Sequence, residues 1–196
     1  MFANRYTALI DACTLADAFR RNLLLTLAAA EFFRVRWSPV ILDETERAIA
    51  DMARRRGMSD AAERAARARQ AMEAAFAEAS VDHHELLLSA ASVLPDPGDH
   101  HVLAAALKTQ AQTIVTENLR DFPAAALAPF GIEARSADDF IADTIALDTG
   151  RAVPAIRRMR QRFQRPAMTA ERMLLDLEAR GLVATAGTLA PHIGSL

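Results

Sequence analysis

Cysteine and lysine are nearly missing from this sequence: its 196 residues hold one of each, Cys13 and Lys108. A lone cysteine excludes a disulfide framework and a thiolate zinc site, and it fits a reducing, cytoplasmic compartment. Long apolar runs are missing too. The longest stretch, Leu23 to Phe33, is interrupted by Thr26 and Glu31 and is too short to span a bilayer, so no membrane association is expected. The opening MFANRYTALIDAC lacks the basic-then-apolar layout of a secretion signal. A net charge of −2 excludes bulk attraction to nucleic acid, so any such surface has to be local. What is abundant is alanine, arginine and acid.

Tyr6 to Ile10 is a short, partly β-branched apolar run ending at Asp11, which reads as a buried strand that turns out of a sheet at the acid. Val35-Arg36-Trp37, Thr113-Ile114-Val115 and Ile132-Glu133-Ala134 read as further short strands, the last at an edge. Between them lie helical patterns with start signals. Thr14 and Asp17 have capping-box spacing, Ser38-Pro39 pairs an N-cap with a first-turn proline, Ser59-Asp60 opens a segment lasting to about Ala79, and Ser136 and Asp139 repeat the box. A further short helix is expected near His84 to Ala91. Strands alternating with helices predict a parallel sheet covered on both faces. From Gly150 the character changes: residues 151–165 carry six arginines and no acid, and Thr169 caps a final helical pair around Gly181. The division expected is an α/β domain over 1–145 and a helical extension over 146–196.

Acids fall where such a sheet would gather them. Asp11 ends the first strand, where an unpaired carboxylate needs a cation or donors. Glu44 shares the inward stripe of its helix with Ile41 and Ala48, whereas Asp43 and Asp51 have Arg47 and Arg55 four residues on and read as surface pairs. Asp96-Pro97-Gly98-Asp99 precedes an apolar helix. A capping role explains one of its acids, and Asp99 falls on the stripe of Leu103 and Ala106. Asn118 and Asp121 follow the third strand, with Thr116 placed to bond a carboxylate and Glu117 placed to point away. Oxygen ligands without thiolate favour Mg2+ or Mn2+ over zinc.

These blocks, Tyr6–Leu15, Ser38–Glu44, Asp96–Asp99 and Val115–Pro123, resemble in content and order a PIN domain, with VapC-type toxins the nearest kin. The resemblance covers roughly residues 5 to 140. It implies a three-layer α/β/α fold around a short-stranded parallel sheet, helix-rich, with a helical C-terminal extension like that of longer PIN toxins. It also implies an acidic Mg2+ or Mn2+ site that cuts RNA, in a toxin held by an antitoxin protein. The family's acids fall on Asp11, Glu44 and Asp99, with Asp96 accessory. Asn118 stands where Asp is common, so Asp121 is expected to supply that charge. All six residues are metal-ligand candidates, and Asp11, Glu44, Asp99 and Asp121 are also the catalytic ones.

Cations should ring an acidic cleft that draws in a polyanion. Arg157, Arg158 and Arg160, together with Arg151, Arg162, Arg165 and Arg54 to Arg56, are the substrate contacts expected, alongside Thr116; the same arginines also suit an acidic antitoxin. Apolar helical faces between Leu23 and Ala79 point to a homodimer. Asp82-His83-His84 and Asp99-His100-His101 spell a phosphoesterase motif, but the early Asp-x-Asp of that superfamily is missing. A dehalogenase-type phosphatase needs an acid where Cys13 stands, and a receiver domain needs a lysine at a late strand end. The remaining rival is an inactive PIN fold that binds RNA or protein, with Asn118 marking lost metal binding.

Overall fold

A computed structural model describes residues 6–164 and 166–196. The chain opens with β1 (Thr7–Ile10), α1 (Ala12–Ala16), α2 (Ala18–Ala29), β2 (Arg34–Arg36), α3 (Pro39–Arg55) and α4 (Ala61–Ala75). There follow α5 (Leu88–Ala91), α6 (His100–Thr109), β3 (Thr113–Val115), α7 (Ala124–Leu127), β4 (Glu133–Arg135) and α8 (Ala137–Leu147). The tail is α9 (Thr149–Gln161), α10 (Ala170–Ala179) and α11 (Val183–Leu189). No helix among the described residues is long and apolar enough to cross a membrane.

The four strands are parallel in the order β2-β1-β3-β4. The central pair, β1 and β3, is buried at every position, as continuous apolar runs under two helical layers should be. The edge strands β2 and β4 are each partly exposed. From β1 the chain moves outward one way to β2, and from β3 the other way to β4, so the carboxyl ends of β1 and β3 form the switch point where open α/β sheets place their sites. Asp11 and Thr116 leave the sheet there.

Helix starts follow the expected chemistry in most places. Ser38 accepts from Ile41 N at 3.2 Å with Pro39 in the first turn, and Ser136 and Thr169 accept from Asp139 N and Arg172 N, each at 3.1 Å. The Thr14–Asp17 box does not form. Asp11 is itself the N-cap of α1, and Asp17 caps α2 through Phe19 N and Arg20 N. Two short helices stand where one was expected, because each acid satisfies its own set of amides, while Thr14 turns inward and donates to the Val115 carbonyl. Asp60 starts α4 without a side-chain cap, its carboxylate instead meeting Arg64, and α4 ends at Ala75, before a 3-10 turn over Ala77–Ala79. Asp43 and Asp51 pair with Arg69 and Arg54 rather than with Arg47 and Arg55.

The tail shares the core of the sheet domain. One buried cluster runs from Ala8 to Leu196 and includes Ile156, Met173, Leu177 and Leu189. The expected boundary after residue 145 falls inside α8, which buries Phe140, Ile141 and Ile145 and packs against both α2 and α11. The apolar residues read as a dimer face include Leu23, Leu24 and Leu27, which have no exposed surface because this packing uses them within the chain.

Candidate active site

The site grows from the two central strand ends. Asp11, 6% exposed, is held on both oxygens. Oδ1 accepts from Ala12 N at 2.6 Å, and Oδ2 accepts from Thr116 Oγ1 at 2.7 Å and from Cys13 Sγ at 3.1 Å. Thr116 in turn receives Asn118 N at 3.1 Å, and Cys13 Sγ receives Glu117 N at 3.3 Å. Asp11 is thereby locked to the loop after β3. Desolvation, reinforced by the Asp11 carboxylate, pushes the Cys13 thiol up to about 11, although part of the residue remains exposed. Thr116 has no exposed surface and its hydroxyl donates to Asp11, so it orients that carboxylate.

Beside Asp11 stands a cup of three carboxylates. Asp96, Asp99 and Asp121 each present an oxygen within 4.8 Å of the other two. Asp96 begins a 3-10 turn over Pro97–Asp99, and its Oδ1 accepts from Gly98 N at 2.8 Å. A Cβ at position 98 would sit 3.1 Å from that oxygen, so glycine lets the turn close. Asp99 precedes α6 yet caps nothing, and its Oδ2 is buried without a hydrogen-bond partner among the described residues. Asp121 is held by the amide of Asn118, which donates to Oδ2. Asn118 therefore steadies a neighbouring charge where an acid was expected.

Burial first, then the charges of Asp11, Asp96 and Asp121, push the Asp99 carboxyl up to about 6, against a smaller opposing pull from His101. Glu44 lies apart from the cup. Its Oε1 is 3.3 Å from His101 Nε2, and the other ring nitrogen of His101 is buried without a partner. His101 thus meets Glu44 and lies near enough to Asp99 to act on its charge. Its place two residues after Asp99 was legible, but its contact with an acid on another helix was not. Asp11 also lies outside the three-oxygen cluster, near enough to raise Asp99.

The PIN domain family model matches residues 7–120, more than half of the chain. The chain belongs to the PIN-domain family. A second model, the VapC50 C-terminal domain, matches residues 137–191, so α8 groups with the helical tail. Together they give a VapC-type PIN protein with a C-terminal domain. A relative from Mycobacterium tuberculosis, "Putative ribonuclease VapC50", is 51% identical over 49 residues, which are 25% of this chain and 29% of the relative. This chain thus covers less than a third of that relative's length. No solved structure matches.

The surroundings of this PIN site are partly basic and partly neutralised. Glu117 turns away from the cup, as expected, to Arg20 at 3.2 Å and to Ala137 N at 3.0 Å. Among the expected substrate arginines, Arg160 donates to the carbonyls of Met168 and Leu196, which makes it a strut inside the tail and not a free cation. Arg151 is likewise tied to the Ala30 carbonyl at 2.6 Å and lies over the Phe32 ring. Arg157 and Arg158 are exposed, while Arg165 lies outside the described residues.

The donor set fits a hard divalent cation. Three carboxylate oxygens face one another, none is in an ion pair with Lys or Arg among the described residues, and one buried oxygen has no partner. Three like charges at that spacing repel unless protonated or bridged, and oxygen-only ligands suit Mg2+ or Mn2+.

Proposed function

We propose that this PIN protein is a Mg2+- or Mn2+-dependent ribonuclease that hydrolyses RNA phosphodiester bonds inside the cell, acting as the toxin of a toxin–antitoxin pair. The cup of Asp96, Asp99 and Asp121, with the unpartnered buried oxygen of Asp99, carries this reading. Those three residues would hold the cation. When bound, a divalent ion would favour formation of the attacking hydroxide and stabilise charge on the leaving oxygen.

The chain's own residues supply the rest. Asp11 is pre-set by Ala12 N, Cys13 and Thr116, so its negative charge is fixed beside the cup with no rearrangement on binding. Asp99 offers its unpartnered buried oxygen, and Asn118 keeps Asp121 aimed at the same point. Glu44 and His101 form the next polar pair outward, placed to orient Asp99's side of the cup. RNA would be drawn by Arg157 on the exposed face of α9, with Arg54 to Arg56 as a second basic group. In this reading the nuclease chemistry belongs to residues 1–145, and the extension over 146–196 positions the basic face.

The test is cleavage of a labelled RNA pool by the full chain in Mn2+. Wild type should cut and a chelator should stop it. Loss of partners one shell out from a metal typically costs 10–100-fold, so Asp99→Asn or Asp121→Asn should lower the rate by at least about 100-fold. Cleavage at the wild-type rate by Asp99→Asn, or in chelator, rejects the reading. A Mn2+-stabilised protein that never cuts RNA would favour the binding-module alternative.

A further inference from the structure

Away from the cup, α2 and α9 lie side by side and leave an open groove of about 560 Å3. The α2 wall is Asn22, Leu25, Thr26 and Ala29. The α9 wall is Ala155, Arg158, Met159 and Arg162. Both sets follow the i, i+3, i+4, i+7 spacing of one helical face, so two parallel stripes border the seam. Phe76, at the end of α4, and Phe163 are only partly buried and border it as well.

Two such stripes with an open seam are two sides of a three-helix packing, and the missing element is a third helix that lays its ridge between them. The small side chains Ala29 and Ala155 allow a close approach. The charge is one-sided: Arg158 and Arg162 stand one turn apart, about 6 Å along α9. Neither is in an ion pair, and no acid lines the groove among the described residues. We infer that this groove docks an acidic amphipathic helix of a protein partner, with apolar residues on the floor and two acids one turn apart against Arg158 and Arg162.

A second copy of this chain fits poorly, because a two-fold contact would bring the same arginines face to face. Nucleic acid fits poorly as well, since a mostly apolar floor with two cations on one wall offers little to a continuous phosphate backbone. The inference deepens the reading of a toxin with a protein partner. It places that partner on a groove built half from the C-terminal extension, whereas the acids that would hold the cation lie just before α6 and in the turn after β3.

The probe is a library of displayed 16-residue helical peptides selected on the full chain. Recovered peptides should carry an apolar stripe with acids four apart. The variant Arg158→Glu/Arg162→Glu, exposed at both sites and checked by thermal melt, should weaken them at least tenfold. A peptide with lysine in place of those acids should regain binding to that variant. An empty selection, binders indifferent to the charge reversal, protection of the groove by an RNA oligonucleotide instead, or a homodimer broken by the same reversal would each overturn the inference. Asp99→Asn should bind the peptides as wild type does. Peptide binding without RNA cleavage would therefore sink the nuclease reading alone, and cleavage without peptide binding would sink the docking groove alone.

Discussion

Asp99 sits where three electrostatic demands meet: a buried oxygen with no partner, a neighbouring acid already locked by three donors, and two more carboxylates across a small cup. Its raised folded pKa of about 6, against an ordinary 3.8, fixes the sign of two effects. Without metal, the folded state holds this proton more tightly than the unfolded chain does. Its contribution to stability is therefore full below about pH 4 and is lost as pH rises through 6. Cation binding requires the carboxylate, so affinity runs the other way. One proton released from a group titrating near 6 should make Mn2+ binding about tenfold tighter at pH 7 than at pH 5. Melting curves at both pH values, with and without Mn2+, read both signs. Affinity that stays flat over this range would contradict the account. Asp11, Asp96, Asp99 and Asp121 were legible one by one in the sequence because each stands at an element end. That Thr116 orients Asp11, and that His101 meets Glu44, depends on distances between segments about a hundred and about sixty residues apart, which no local pattern encodes.

At the scale of elements, the caps mark where sequence reading succeeds and where it fails. Ser38, Ser136 and Thr169 each have one helix to start, and each does so. Thr14 had a competitor: Asp11 at the strand end captures Ala12 N, which starts a helix three residues early. A cap that no local pattern shows ties α8 to α11. The Asp138 carboxylate, on α8, accepts from Ala184 N at 2.9 Å and Thr185 N at 2.8 Å at the start of α11. Removing it frees two amides, and Asp138→Ala should cost about 1–2 kcal/mol, as other lost caps do. For a chain of this size that lowers Tm by roughly 2–8 °C. RNA cleavage below the transition should be unaffected. An unchanged Tm would mean that the cap does not hold the tail.

The whole molecule is one buried core with an acidic cup at the middle of one sheet edge and a helical tail wrapped along the side. Polar contacts link tail and site edge: Arg180 pairs with Asp17 at 3.1 Å, and its carbonyl accepts from Arg20, which also pairs with Glu117 beside the cup. The alternation of strand and helix, the parallel sheet and the helical tail could all be read from pattern. The shared core could not, because Ile156, Met173 and Leu177 look alike whether they face a partner or the same chain. Everything functional rests on the cup being a cation site. Calorimetric titration of the full chain with Mn2+ at pH 7.5, wild type beside Asp99→Asn, measures that directly. Binding to wild type that weakens at least about 100-fold in the variant, with both proteins equally folded, is the predicted result; equal binding by the two, or none by wild type, would contradict it.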